Sequence, residues 1–116
     1  MDNHRHLKVL DAAQLIEKQI NHLIDGGPER GRQRLIHIGQ LRDSSHSIVS
    51  NISEGFARGE NGERTRALRV ARGEADETIT HLKTNAETGR LNAKTFLSLR
   101  STLITIGKML DKLIDD

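Results

Sequence analysis

Residues 47–58 of the 116-residue chain read Ser-Ile-Val-Ser-Asn-Ile-Ser-Glu-Gly-Phe-Ala-Arg. Within this stretch Ile48, Ile52 and Phe56 recur every four residues, which places their side chains on one face of an α-helix. The same apolar face continues backward to Ile38. The stretch therefore predicts an amphipathic helix around whose apolar face the rest of the chain packs.

A second stripe on this helix consists of polar but mostly small side chains. Its members are Gln40, Ser44, Ser47, Asn51, Glu54 and Arg58. Ser and Asn are mediocre helix formers, and their presence inside a helix favours a neighbouring helix that comes close. Ser47, Asn51 and Glu54 are therefore predicted helix-packing or oligomer contacts, with Asn51 or Glu54 meeting Arg64. The alternative is a partly exposed face carrying an ordinary Glu54–Arg58 pair.

Glycine, proline and asparagine divide the chain into four helical segments. The first helix is predicted to end at Asp25-Gly26-Gly27-Pro28, and the second at Gly59 to Gly62, where Asn61 is the predicted N-cap of the third helix. The third helix is predicted to end at Gly89, and Asn92 is the predicted cap of the fourth. The predicted helices cover residues 7–24, 30–58, 62–88 and 93–114. We predict one domain over residues 1–116, an all-α, antiparallel up-down-up-down four-helix bundle.

The last helix has the most regular apolar pattern in the chain. Its apolar residues alternate at spacings of three and four, as in a coiled-coil seam. They are Phe96, Leu99, Leu103, Ile106, Leu110 and Leu113. Leu97 and Ile104 lie outside this seam and one heptad apart, and they predict a second apolar stripe used for self-association.

Composition excludes several classes of protein. The chain has no Cys, Trp or Tyr and only two Phe, which excludes a disulfide scaffold, a thiolate zinc site and an aromatic platform for stacking bases. No stretch has the apolar length of a signal peptide or a membrane span. We therefore expect a cytoplasmic protein without membrane contact.

Basic charge is concentrated in the middle of the chain. Residues 30–72 contain nine Arg and no Lys, against four acidic residues. Arg favours bidentate contacts to phosphate or carboxylate. The predicted nucleic-acid-binding residues are Arg58, Arg64, Arg66, Arg69 and Arg72. The alternative is a solvated face whose guanidiniums pair with neighbouring acidic residues such as Asp76.

No set of residues predicts catalysis or cofactor binding. A nucleophile motif, a phosphate-binding loop and paired catalytic carboxylates are all missing from the sequence. The six His residues are spread over separate segments, and Glu77 with His81 is the nearest approach to a ligand pair. The sequence predicts a non-enzymatic protein with no metal site.

The 47–58 stretch resembles the signature of the four helix bundle protein family, also called the 23S rRNA intervening-sequence proteins. Members carry Ser-Ile-Pro-Ser-Asn-Ile-Ala-Glu-Gly-aromatic followed by a basic residue; here Val49 replaces the usual Pro, and Leu10 stands where Trp is common. The likeness continues at Leu7-Lys8-Val9, Ala13, Pro28-Glu29, Gln40-Leu41-Arg42, Leu68, Ala71, Gly73, Ala75 and Glu77.

This resemblance implies a homo-oligomer, because relatives form rings of bundles, notably pentamers. It also implies possible RNA or DNA binding, and a possible protein partner such as a reverse transcriptase, since the family is related to the accessory variability determinant of diversity-generating retroelements. Two hypotheses follow. One is an oligomer that binds nucleic-acid backbone through its Arg residues; the other is a structural or protein-interaction scaffold without a nucleic-acid role.

Overall fold

The computed structural model describes residues 3–26, 33–59 and 62–115. These ranges form four helices, which are α1 (Asn3–Ile24), α2 (Ile38–Ala57), α3 (Gly62–Glu87) and α4 (Ala93–Asp115). No strand occurs in these ranges. The all-α prediction is therefore confirmed for the described part of the chain.

Each helix packs against two others. α1 and α3 both contact α2 and α4. At one end of the α1–α2 contact the imidazole of His6 meets the ring of Phe56 edge-on, with centroids 4.1 Å apart. At the other end the Arg42 guanidinium bonds the Asp25 carboxylate at 2.8 Å. The start of α1 thus lies beside the end of α2.

The core contains the predicted apolar faces. Ile48 and Ile52 of α2 and Leu103 and Ile106 of α4 are all fully buried. On α1 Val9 is fully buried and Leu10 is half-buried. Apolar burial of this kind contributes roughly 25 cal/mol per Å².

Helix α2 begins at Ile38, eight residues after the predicted start near residue 30. Leu35 is buried outside the helix, and Ile38 is 36% exposed rather than part of the apolar face. The Asn85 side chain of α3 accepts a hydrogen bond from the Ile36 N–H (2.7 Å) and donates one to the Ile36 carbonyl (3.0 Å). These long-range bonds hold Ile36 in a non-helical conformation, where the pattern predicted a helix.

The other predicted boundaries differ less. Helix α1 begins at Asn3 instead of Leu7, and α3 begins at Gly62, the predicted residue. The Asn92 side chain caps α4, as predicted, by accepting a hydrogen bond from the Lys94 N–H at 2.8 Å. Gly89 has φ = 74°, a left-handed conformation that glycine adopts without a Cβ clash. The predicted break at residues 27–28 and the predicted Asn61 cap lie outside the described residues.

Helices α2 and α3 approach closely along the predicted small-polar stripe. The Thr78 hydroxyl donates to the buried Ser44 hydroxyl at 2.8 Å, which confirms a side-chain hydrogen bond across this contact. A Cβ added at Gly55 would lie 3.2 Å from Leu68 Cδ2. Gly55 therefore allows an approach that a larger residue would obstruct.

Candidate nucleic-acid interface

Arg66 and Arg69 are exposed members of the five predicted nucleic-acid-binding residues. Both are exposed on the first turns of α3, and neither makes an ion pair within the described ranges. Three residues of helix advance the chain by about 4.5 Å, so the two guanidiniums are anchored on neighbouring turns. With Gly62, Thr65 and Val70 they line a shallow depression of about 570 Å³.

Arg64 departs from the prediction because it is buried. Only 8% of the residue is exposed, and its Nε donates to the Gly55 carbonyl at 3.2 Å. We predicted Asn51 or Glu54 as its contact, but the guanidinium bonds the backbone beside them. The last carbonyls of a helix have no partner within the helix, and a cation there is stabilised by the helix dipole. Arg64 thus helps to terminate α2 and is removed from the exposed basic surface.

Arg72 spans α3 and α4. Its guanidinium bonds Asp76 at 2.8 Å, as predicted, and also Asp111 of α4 at 3.1 Å. The side chain lies over Gly107, where an added Cβ would approach Arg72 Nη1 to 2.9 Å. Hydrogen bonding to Asp76 raises the pKa of Arg72, and both carboxylates add Coulombic attraction. Two carboxylates already compete with any phosphate at Arg72.

Arg58 occupies the end of α2 and is exposed. It bonds the Glu63 carboxylate of α3 at 3.0 Å. This hydrogen bond and the charges of Glu63 and Glu54 raise the pKa of Arg58. A fully exposed pair of this kind contributes little to stability, so a phosphate in solution can compete with Glu63 for this guanidinium.

Acidic groups limit the basic surface further along α3. Burial raises the pKa of the Glu74 carboxyl, and repulsion from Glu77 adds to the effect. Together with Asp76, these residues make the middle of α3 acidic. In the first turns of α3 the exposed positive charge is therefore that of Arg66 and Arg69, and the exposed Lys83 lies beyond the acidic middle of the helix.

The predicted packing contacts on α2 divide into inner and outer positions. Asn51 Nδ2 donates to the Ser47 carbonyl at 2.9 Å and to the Ser47 hydroxyl at 3.0 Å. Both residues are half-buried, while Glu54 is exposed. The contact across the helices that we expected from this face is instead made by Ser44.

The predicted apolar stripe on α4 is exposed at one end. Leu97 is 60% exposed, the highest value among the large apolar side chains that the structure describes, whereas Ile104 is half-buried. Val70, beside Arg69, is 43% exposed. Leu97 and Val70 are accessible to a partner, and Ile104 also contributes to packing within the chain.

The model of the family described as "23S rRNA-intervening sequence protein" matches residues 5–112. The chain belongs to this family. The fold is similar to a crystal structure of a protein of unknown function, from the S23 ribosomal protein family, of Bacteroides thetaiotaomicron, with a TM-score of 0.79. The two sequences are 23% identical, and the match covers 99% of this chain and 98% of that one. No curated protein matches the chain.

Two features bear on what this member of the 23S rRNA-intervening sequence family can bind. None of its helices, over the described ranges, is long and apolar enough to cross a membrane. In those same ranges no group of three or more His, Asp or Glu residues is placed to hold a metal ion.

A contact between two histidines in this family member was not predicted from the sequence. The imidazoles of His37 and His81 lie together although 44 residues separate them. The spacing of Glu77 and His81, one helical turn apart, was the only feature of the local sequence that drew attention to His81. Nothing in the pattern indicated that the residue before α2 reaches α3, because the predicted helix ran through this position.

Proposed function

We propose that this protein binds the phosphate backbone of RNA or DNA without reading bases, and that it has no catalytic step. The observation that carries the proposal is the pair Arg66 and Arg69, two exposed guanidiniums without an ion pair in the described ranges. Guanidiniums bind phosphate oxygens in a bidentate manner. The exposed Arg58 nearby in sequence adds a third cation.

The aromatic residues support backbone binding rather than base stacking. The two Phe of the chain, Phe56 and Phe96, are half-buried and pack against the core. Proteins that bind single strands through their bases use exposed aromatic rings. This chain has no Trp or Tyr and no exposed Phe, so contacts to phosphate are the chemistry that its surface favours.

Oligomerisation would multiply this small positive surface. We propose an antiparallel up-down-up-down bundle that assembles into a homo-oligomer. The contacts of His6 with Phe56 and of Arg42 with Asp25 support an antiparallel arrangement of α1 and α2. In a ring of copies, for which five is the number implied by the family resemblance, each copy would present its own Arg66 and Arg69. Repeated charges create a field that attracts nucleic acid.

The test is the titration of labelled RNA and DNA at two salt concentrations, with light scattering in the same buffers. We expect Arg66→Gln/Arg69→Gln to weaken binding about 10-fold or more and to reduce the salt dependence by about two phosphate contacts for each bound subunit. Arg64 and Arg72 are left intact because their contacts are structural.

The matched control is Lys18→Gln/Arg100→Gln, which removes two exposed positive charges from α1 and α4. This control should retain most of the affinity. Equal losses in the two double variants would show nonspecific attraction by net charge and would contradict a site at Arg66 and Arg69. Absence of binding by the unmodified protein would contradict the function itself.

A protein-interaction scaffold is the second candidate, favoured by the 60% exposure of Leu97. A partner protein, of which a reverse transcriptase is one class, or a second copy would cover this side chain. We expect Leu97→Glu to dissociate the complex, as measured by light scattering, because burying a charge in an apolar contact is costly. Ile104 is left unchanged, since it is half-buried and a charge there would disturb the fold. An intact assembly would exclude Leu97 from the interface.

A further inference from the structure

His37 and His81 bring two imidazole nitrogens together on the surface between α2 and α3. Their Nδ1 atoms are 3.2 Å apart. The ring centroids are 5.1 Å apart, and the ring planes are nearly perpendicular, at 87°. The closest ring atoms are thus nitrogens that can each offer a lone pair.

Hydrogen bonds hold the main chain at both histidines. His37 precedes α2 in a left-handed conformation, with φ = 58° and ψ = 37°, which His adopts more readily than most residues. The neighbouring Ile36 is bonded twice to Asn85, and the Asn85 amide also donates to the His81 carbonyl at 2.9 Å. One buried side chain therefore positions the backbone of both histidines.

The Glu77 carboxylate lies close to the His81 ring. Its Oε1 lies 3.5 Å from His81 Nε2, one helical turn away, and the His81 side chain is only 15% exposed. His81 Nε2 is buried and makes no hydrogen bond to a described residue, but the nearby negative charge favours the tautomer with a proton on Nε2 and the lone pair of Nδ1 facing His37. Carboxylates close to metal-bound histidines help to set this tautomer.

The nitrogen separation fits two ligands of one metal ion. Metal–nitrogen bonds of about 2.0–2.1 Å at a tetrahedral angle place the two nitrogens about 3.3 Å apart. We propose that His37 and His81 form a binding site for a divalent transition metal of the zinc class, with the Glu77 carboxylate close to Nε2 of His81. Imidazole donors favour zinc, copper and nickel over calcium or magnesium.

The proposed site is open. No third His, Asp or Glu joins the pair in the described ranges, so water or an external ligand completes the coordination. In the metal-free pair one proton lies between the two Nδ1 atoms. On binding, this proton moves to His37 Nε2, both rings remain neutral, and both Nδ1 lone pairs bind the metal.

The test is the calorimetric titration of the full, tag-free chain with Zn²⁺ at about pH 7.5, where ordinary imidazoles are neutral. All variants carry His4→Gln, which removes the exposed histidine near the N-terminus. We expect one Zn²⁺ per chain, with shifts of the His37 and His81 imidazole resonances in the NMR spectrum. His37→Asn and His81→Gln should each weaken binding at least about 10-fold, and Glu77→Gln about 10-fold.

Two choices keep the result interpretable. Asn tolerates the left-handed conformation of residue 37, so His37→Asn preserves the backbone, which circular dichroism verifies. His46→Gln is the control, because His46 pairs with Glu17 at 2.9 Å in a separate contact, and it should bind Zn²⁺ unchanged. Unchanged affinity in folded His37→Asn, or the absence of shifts at His37 and His81, would overturn the proposal. Neither outcome bears on nucleic-acid binding at Arg66 and Arg69.

Discussion

Asn85→Ala should lower the free energy of unfolding by about 3 kcal/mol, because it leaves several backbone groups without partners. The Asn85 side chain is fully buried. It satisfies the N–H and the carbonyl of Ile36 and also donates to the carbonyl of His81. Alanine would remove all three hydrogen bonds and release the segment that leads into α2.

Urea unfolding followed by circular dichroism measures this loss. Asn51→Ala is the matched control, because Asn51 is half-buried and its amide bonds only Ser47, on its own helix. The control should lose less than about 1 kcal/mol. Equal losses in the two variants would contradict a special role for Asn85 in holding residues 33–37 against α3.

Leu103→Ala should also lower the free energy of unfolding by about 3 kcal/mol, within the range measured for truncation of buried leucines. Leu103 lies in the middle of the α4 seam and is fully buried. Its truncation leaves a cavity among side chains that cannot move freely to fill it. Thermal and urea unfolding of the same variant provide two independent measurements.

Leu97→Ala is the control on the same helix. Leu97 is 60% exposed, so its truncation should change the stability of the chain by no more than about 0.5 kcal/mol. A loss as large as that of Leu103→Ala would contradict this exposure for the protein in solution. It would place Leu97 in a contact between chains and would favour the scaffold function.

The apolar pattern predicted most of the core. In α4 four of the six residues at spacings of three and four are buried, namely Leu99, Leu103, Ile106 and Leu110, and Phe96 and Leu113 at the ends are half-buried. In α3 Leu68 and Leu82 are buried as well. These predictions succeed because one face of a helix repeats every 3.6 residues, and the repeat is visible in a short window of sequence.

The candidate site was predictable only in part. Five Arg residues within 15 positions look alike in the sequence, but the fold buries Arg64 against Gly55 and ties Arg72 to two carboxylates. Which guanidiniums remain accessible depends on what the neighbouring helices place beside them. Arg66 and Arg69 can be identified as exposed residues without an ion pair only after the positions of α2 and α4 are known.

The sequence by itself determined the all-α class, the breaks near Gly59 and Gly89 and the faces that form the core, since all of these depend on residues close together in the chain. Tertiary structure alone decided the start of α2 at Ile38, the burial of Arg64 and the meeting of His37 with His81. Each of these depends on a partner from another helix. The bonds from Asn85 to Ile36 outweigh local helix propensity, which differs by well under 1 kcal/mol among most residues.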